Sequence, residues 1–260
     1  MSKYFTFLGK EFTENIRTKR VLVLTCVYLF FAITAPLLTR YMAEFLGLFI
    51  PAGDESMEVM IAVMGNPQWF ESYAQFYSNL SQLGIFAVMF MYMNTIRKEI
   101  SSGTASLMFS KGLGHAQFVM AKFSMAAVLL FIITLAATLV AYVYTFLLFE
   151  EAGAFGDVLL GNLVFAAASL MILGVVMFFS SIAKSSGSAA GMIVGVYFAM
   201  VFAQFLPTVG RFIPINLFMS PIAISMGDMP PDLLANLLIA CGVLVVALFG
   251  AIKMLKRAEV

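Results

Sequence analysis

Six long stretches of this sequence are mostly apolar and contain no Asp, Glu, Lys, Arg or His. Each is close to the ~20 residues that an α-helix needs to cross the hydrocarbon core of a bilayer. Backbone groups in lipid must be hydrogen-bonded within their own segment, which favours helices. The sequence therefore predicts an all-α membrane protein in one domain, 1–260, with transmembrane helices at 21–39, 75–96, 123–149, 158–183, 186–209 and 233–252.

The composition argues against several other classes of protein. Hydrophobic residues make up 62% of the chain and charged residues 11%, against ~45–50% and ~25% in soluble domains. The net charge of +1 gives no reason to expect a nucleic-acid partner. Cys26 and Cys241 lie in apolar runs, which does not indicate a disulfide framework. One histidine, His115, is too few for a histidine-built metal site.

The distribution of positive charge predicts the orientation. With six spans both termini lie on one side, and every Lys and Arg except Arg40 and Arg211 falls on that side. Most acidic residues fall on the other side. Because cytoplasmic loops carry the excess of Lys and Arg, we expect a multi-pass protein of the cell membrane with both termini in the cytoplasm.

Residues 1–20 are predicted to form an amphipathic helix that lies in the membrane interface. Apolar side chains recur at helical spacing on one face, and charged side chains occupy the opposite face. The two sets are Phe5, Leu8, Phe12 and Ile16, and Lys3, Lys10, Glu14 and Arg17. The alternative is a frayed basic anchor. For the loop 40–71, which contains several Pro and Gly residues, we expect irregular structure with a short helix.

The predicted spans contain no group that could power or catalyse a reaction. Ion-coupled carriers usually keep an ionisable side chain near the bilayer midplane, and a membrane enzyme needs reactive groups at depth. The chain also lacks the Gly-rich phosphate loop of ATPases. We expect the adjacent Glu150 and Glu151 to form a solvated turn. The sequence therefore predicts a protein that is not an enzyme, and that receives energy for any uphill transport from a partner.

The longest loop on the basic side, 97–122, has the sequence RKEISSGTASLMFSKGLGHAQFVMAK. It resembles the loop of permease subunits of ABC-2-type transporters, where an acidic residue is followed by Gly-Thr, a leucine and a lysine that begins span three. The matching residues are Glu99, Gly103, Thr104, Leu107 and Lys122. The family's Pro, Ser and Arg positions are instead Gly112, Gly114 and His115, and Ala121 replaces a glycine.

This resemblance implies the membrane-spanning permease subunit of an ATP-driven exporter. It implies two copies of a separate cytoplasmic ATPase, which bind ATP and Mg²⁺, and a second permease subunit, identical or related. It also implies a coupling helix between spans two and three and a re-entrant segment at 211–227. No cofactor is expected in this chain. The alternative is an ordinary basic loop in which Glu99 pairs with Lys98 or Lys122.

The residues of this loop suit a coupling helix. We expect Thr104 to cap a short helix through its hydroxyl, and Gly112 and Gly114 to turn the chain after it. The side chains expected to contact the ATPase are Leu107, Met108, Phe109, Lys111 and His115. The first three would supply apolar contacts, and the last two would supply polar contacts at the rim.

A glycine stripe in the fifth predicted span indicates close helix packing. Gly187, Gly191 and Gly195 recur every four residues, a spacing that lets two backbones approach. One interpretation is contact with a second permease subunit, since the resemblance implies that two such subunits face each other, with spans two and five lining the path. The other is packing against another span of the same subunit.

Several side chains in spans two and five are candidates to line a transport path. They are Met89, Met93, Asn94 and Gln204. Methionine adapts to varied apolar cargo, and thioethers could carry Cu(I). The alternative is ordinary core packing and lipid contact.

The sequence thus favours a permease subunit of an ATP-driven exporter whose cargo is apolar or amphipathic, because few polar groups face any path. A peptide is favoured, and a drug or a lipid-like molecule is possible. The competing hypotheses are an ATP-independent channel or carrier, and a sensor or assembly subunit that transports nothing.

Overall fold

The computed structural model describes residues 3–47 and 67–257, and these ranges contain helices and no strand. The predicted short helix and irregular structure of the first outer loop fall largely on 48–66 and lie outside the described residues. The α-helices are α1 Lys3–Arg17, α2 Arg20–Gly47, α3 Trp69–Asn79, α4 Ile85–Tyr92, α5 Arg97–Ser101, α6 Thr104–Ser110, α7 His115–Phe149, α8 Phe155–Ile182, α9 Ser186–Ala203, α10 Ser220–Ser225 and α11 Leu233–Arg257.

Within the described ranges, five helices are long and apolar enough to cross a membrane. They are the Arg20–Met42 part of α2, and α7, α8, α9 and α11. These helices and the absence of any strand from the described residues make the chain an all-α membrane protein with several spans.

The segment predicted as a span at 75–96 is helical but is not one uninterrupted α-helix. A π-helical turn, Leu80–Gly84, joins α3 to α4, and α4 ends at Tyr92. The turn lies where α2 approaches closely, since a Cβ on Gly84 would lie 3.3 Å from the Tyr28 ring. Its Ser81 carbonyl also accepts a 2.6 Å hydrogen bond from the Tyr197 hydroxyl of α9. A π-turn frees carbonyls from the helical pattern for such outside contacts.

Helix α8 lies at the centre of the bundle. It contacts α7, α9, α10 and α11, and residues on all of its faces are buried. The hydroxyl groups of its buried serines, Ser169, Ser180 and Ser181, all form hydrogen bonds, as buried polar groups in an apolar core usually do. Thr138 of α7 donates a 3.0 Å hydrogen bond to the Asn162 side chain of α8.

Helix α9 ends at Ala203, six residues before the predicted end of the span at 209. Pro207 explains the early end, because its ring removes a backbone donor and restricts the preceding residue. The chain then turns through two 3₁₀ segments, Gly210–Phe212 and Pro214–Phe218, and through α10. Pro221 in α10 lies against Gly161 of α8, where a Cβ would come within 3.2 Å of the Pro221 carbonyl oxygen. The 211–227 segment is therefore covered by protein along part of its length.

Candidate functional site

The loop that carries the resemblance is attached at its start by a buried serine. The backbone N–H groups of Ile96 and Arg97 both donate to the Ser180 hydroxyl near the end of α8, at 3.0 and 3.2 Å. Ser180 is fully buried. One side chain thus satisfies two N–H donors at the start of α5 that have no acceptor within that helix, and it fixes where the loop begins.

Two glycines set the geometry of α6. Gly103 precedes the helix with φ 71° and Gly112 follows it with φ 82°, both in the left-handed region that favours glycine. The prediction that Thr104 caps this helix is wrong. Gly103 occupies the cap position and Thr104 is the first helical residue, with its hydroxyl 2.8 Å from that of Ser102. The left-handed turn places the cap one residue earlier than expected.

The side chains of α6 point in two directions. Leu107 is 64% exposed. Met108 and Phe109 are half-buried, and the Phe109 ring packs against His115 at 4.2 Å and Phe118 at 5.4 Å. Of the three apolar residues expected to contact an ATPase, Leu107 alone projects freely, while Lys111 is exposed at the end of the helix. Phe109 and His115 instead hold α6 on α7.

A buried ion cluster lies beneath this loop, where α1, α5 and α7 meet. Lys122 of α7 is fully buried, and its Nζ lies 2.8 Å from Glu11 Oε1 and 2.9 Å from Glu99 Oε1. Glu11 belongs to α1 and Glu99 to α5, so one ammonium group joins three helices. Of the two pairings considered for Glu99, the structure contains the one with Lys122.

A second lysine closes the cluster from the surface. Lys10 Nζ lies 2.7 Å from Glu14 Oε2 and 3.2 Å from Glu11 Oε1, and it also pairs with Glu99. The cluster thus holds three carboxylates and two ammonium groups. It is defined here as Lys10, Glu11, Glu14, Glu99 and Lys122.

The cluster lies in apolar surroundings. The Phe7 and Phe118 rings stack with centroids 5.5 Å apart, and Lys122 Nζ lies 5.2 Å from the Phe118 centroid. The second carboxylate oxygens of Glu11 and Glu99 are buried and bond to no described group. Removing one partner of such a buried pair leaves an uncompensated charge, at a cost of about 3–5 kcal/mol. The three helices are therefore strongly coupled at this point.

A polar chain extends the cluster to the end of α4. Asn15 of α1 donates a 2.8 Å hydrogen bond to the Glu11 carbonyl and accepts one of 3.1 Å from the Tyr92 hydroxyl. The Arg20 guanidinium lies 5.5 Å from the centroid of the Tyr92 ring. Helix α1 is thereby joined to α4 as well as to α5 and α7.

Lys10 and Glu14 keep their charges over a wider pH range than free side chains. Burial by itself lowers the pKa of Lys10, but hydrogen bonds to Glu14 and Glu99 outweigh it and raise the pKa above its usual value. Burial alone would raise the pKa of Glu14, but the hydrogen bond from Lys10 and the charge of Lys122 outweigh it and lower the pKa. Both residues are charged at neutral pH.

The carboxylates of Glu11, Glu14 and Glu99 lie within 4.8 Å of one another, a separation that a metal ion could bridge. The ammonium groups of Lys10 and Lys122 already contact them. The cluster is consequently better suited to hold helices together than to bind a cation.

The structure also locates the residues that sequence reasoning missed. Helix α1 buries Phe7, Glu11 and Asn15, which recur every four residues, and leaves Phe5 and Ile16 exposed. Of the apolar face that the sequence assigned to the membrane interface, Phe5, Phe12 and Ile16 are thus exposed, whereas Leu8 packs against the core. The polar residues Glu11 and Asn15 lie four residues apart, and this helical spacing was the signal in the sequence that could have identified Glu11. Nothing in the sequence distinguished Ser180 or Tyr92.

The glycine stripe of α9 is open within the described part of the chain. A Cβ built on Gly187, Gly191 or Gly195 would meet no atom within 4 Å. The interpretation that this stripe packs against another span of the same subunit is therefore wrong for the described residues. The face is available to lipid or to a second chain.

The candidate path residues do not gather at one site. Met89 is buried in the core, while Met93, Asn94 and Gln204 are half-buried. Met89 belongs to α4, Met93 and Asn94 follow it, and Gln204 follows α9. Glu150 and Glu151 are exposed, and Glu150 has φ 60° at the end of α7.

These features define a multi-pass α-helical membrane protein in which buried ion pairs link the N-terminal helix to a short-helix loop. No known protein family matches the chain. It is similar to YxlG of Bacillus subtilis (strain 168), described as an uncharacterized transmembrane protein, with 26% identity over 215 residues. The aligned region covers 82% of this chain and 81% of the relative. That similarity supports a transmembrane protein.

Proposed function

We propose that this chain is the permease subunit of an ATP-driven exporter of the ABC-2 type. In this proposal the helical stretch from α3 to α4 is the sixth span. The positive-inside rule then places both termini and the loop of α5 and α6 in the cytoplasm. The N-terminal helix α1 lies in the membrane interface, with Phe5 and Ile16 facing lipid.

One observation carries the proposal: α6 presents Leu107 outward between two glycine hinges, in the same loop whose Glu99 enters the buried ion cluster. A cytoplasmic ATPase that closes on ATP would bind Leu107 and displace α6. Because Lys122 links α5 to α1 and α7, the cluster would make these helices move together and would keep them from separating. The loop would transmit the motion of the ATPase, and the cluster would attach the loop rigidly to these helices.

The partners follow from this mechanism. Two ATPase subunits would supply ATP and Mg²⁺ chemistry, and a second permease, identical or related, would complete the path. The open glycine stripe of α9 supports contact with that second permease. The cargo would be apolar or amphipathic, with a peptide favoured over a drug or a lipid-like molecule.

The test is co-purification with the ATPase encoded nearest to this chain's gene, using a Leu107→Asp variant. We expect the variant to lose the ATPase, because a charge replaces the exposed apolar contact. Met254→Asp is the matched control, since Met254 is an exposed apolar residue at the basic end of α11. Phe109 is not a suitable position, because its ring packs inward.

Retention of the ATPase by Leu107→Asp would contradict the docking role of α6. Reconstitution in liposomes separates the competing functions. Cargo flux without any ATPase would indicate a channel or carrier. ATPase binding with no flux of any cargo would indicate a sensor or assembly subunit.

A further inference from the structure

A cavity of about 400 Å³ opens beside the loop. It lies between the turn after α4, helix α5 and the connection from α8 to α9. Its charged lining residues are Arg97, Lys98 and Lys184, and hydroxyl groups come from Ser101, Ser185 and Ser186. Three separate elements of the fold thus contribute to one basic cavity.

The three cations of the cavity are not neutralised. None of Arg97, Lys98 and Lys184 forms a salt bridge with any residue in the described ranges. The described acids on the predicted cytoplasmic side are Glu11, Glu14 and Glu99, and all three are held by Lys10 and Lys122 in the ion cluster. Glu99 lies next to Lys98 in sequence, yet its carboxylate is turned into the protein. The fold therefore concentrates positive charge at the cavity and keeps negative charge away from it.

The cavity also offers uncharged hydrogen-bonding groups. Helix α9 begins at its edge, and the first-turn N–H groups of Ser186 and Gly187 have no acceptor within the helix. Such N–H groups, together with the positive end of the helix dipole, favour an anion. Asn94 also lines the cavity.

We propose that this cavity binds the phosphate group of a lipid headgroup or of a free organic phosphate. Arg97, Lys98 and Lys184 neutralise the phosphate, and the start of α9 donates to its oxygens. The cavity lies where α4 and α8 end and α9 begins, which is the depth of lipid headgroups if these helices span the bilayer. An anionic phospholipid such as phosphatidylglycerol has this chemistry, and so does a free organic phosphate. Basic cavities between helices at the cytoplasmic side are typical sites for anionic headgroups.

The test compares lipid retention by the delipidated, detergent-purified full chain in native mass spectrometry. The probes are phosphatidylglycerol, zwitterionic phosphatidylcholine, and two free phosphates, inorganic phosphate and glycerol 3-phosphate. The cavity variant is Arg97→Gln, Lys98→Gln, Lys184→Gln. The matched control is Lys253→Gln, Lys256→Gln, Arg257→Gln, which removes three exposed cations from the end of α11. Lys184→Gln alone is a milder variant in an exposed connection, and it serves if the triple variant does not fold.

We expect the wild-type chain to bind phosphatidylglycerol in preference to phosphatidylcholine. Affinity for phosphatidylglycerol should fall about fivefold for each cavity cation removed, and about a hundredfold for the triple variant. The α11 control should stay within about twofold of wild type. If glycerol 3-phosphate but not the lipid raises the thermal unfolding temperature of the wild type saturably, and the cavity variant loses this effect, the site is supported and its ligand is a free phosphate. If only the lipid raises the unfolding temperature, the site is supported and its ligand is the lipid headgroup.

Two results would overturn the proposal. One is unchanged phosphatidylglycerol affinity in the cavity variant or in Lys184→Gln. The other is an equal loss in the α11 control, which would show a general effect of surface charge rather than a site.

Discussion

Lys122 Nζ lies 2.8 Å from Glu11 Oε1 and 2.9 Å from Glu99 Oε1, with the lysine side chain fully buried between them. Glu11 and Lys122 are separated by more than a hundred residues in sequence. Their contact makes α1 part of the bundle rather than an appendage. The short-helix loop, the N-terminal helix and α7 therefore respond as one unit to a force on any of them.

Removing the Lys122 charge should destabilise the protein strongly. Lys122→Met leaves two buried carboxylates with only Lys10 to compensate them, at a cost of about 3–5 kcal/mol. We expect a marked drop in the thermal unfolding temperature in detergent. Lys253→Met, at an exposed site on α11, is the control and should have little effect.

Combining Lys122→Met with Glu11→Gln and Glu99→Gln should recover most of the loss, because no buried charge then remains without a partner. Effects that simply add across these three substitutions would show that the groups do not interact, contrary to the geometry.

The length of the uncharged apolar runs accounted for much of the fold. The apolar runs predicted the long helices α2, α7, α8 and α11 to within a few residues at most ends. The interruption at Leu80–Gly84 could not be foreseen, because it depends on how α2 and α9 approach that turn. The end of α9 at Ala203 has a cause in the sequence, which is Pro207. A run defined only by the absence of charged residues does not reveal this cause.

The ion cluster was predicted only in part. The pairing of Glu99 with Lys122 was one of two considered, since both residues belong to the loop. Glu11 was missed because the charged face of α1 was defined by Lys3, Lys10, Glu14 and Arg17, and Glu11 was assigned to neither face. Contacts between distant segments depend on helix packing, which periodicity within one helix does not reveal.

Acid should loosen α1 from the bundle. The pKa of Glu14 is lowered below its usual value of 4.5, so its ion pair with Lys10 stabilises the fold above that pH. This contribution is lost as pH falls from 4.5 through the lowered pKa. The protection factors of α1 amides, which correct for the slower intrinsic exchange in acid, should fall over that range in the wild type. Glu14→Gln should remove this step, and an unchanged step in the variant would assign the transition to other groups.

Gly103 should be sensitive to substitution for backbone reasons alone. Its φ of 71° disfavours any residue with a Cβ, while a Cβ there would meet no atom within 4 Å. Gly103→Ala should therefore cost about 1–2 kcal/mol and increase hydrogen exchange in α6. Gly9→Ala is the matched control, because its surroundings are equally open and it lies inside α1. That substitution should be neutral or slightly stabilising. Equal destabilisation by both changes would contradict a role for the left-handed turn.

Gly191 provides a test of the proposed contact between two permease chains. A Cβ at this exposed position meets nothing within 4 Å in the described chain, so Gly191→Leu should leave the fold of one subunit intact. It should nevertheless separate two copies, because a bulky residue prevents close approach of two backbones at a glycine stripe. Sedimentation in detergent measures the association, and circular dichroism checks the fold. Gly156→Leu adds the same bulk at another open position, near the start of α8, and should leave association unchanged. A dimer that survives Gly191→Leu with unchanged affinity would place the contact between chains elsewhere than on this face of α9.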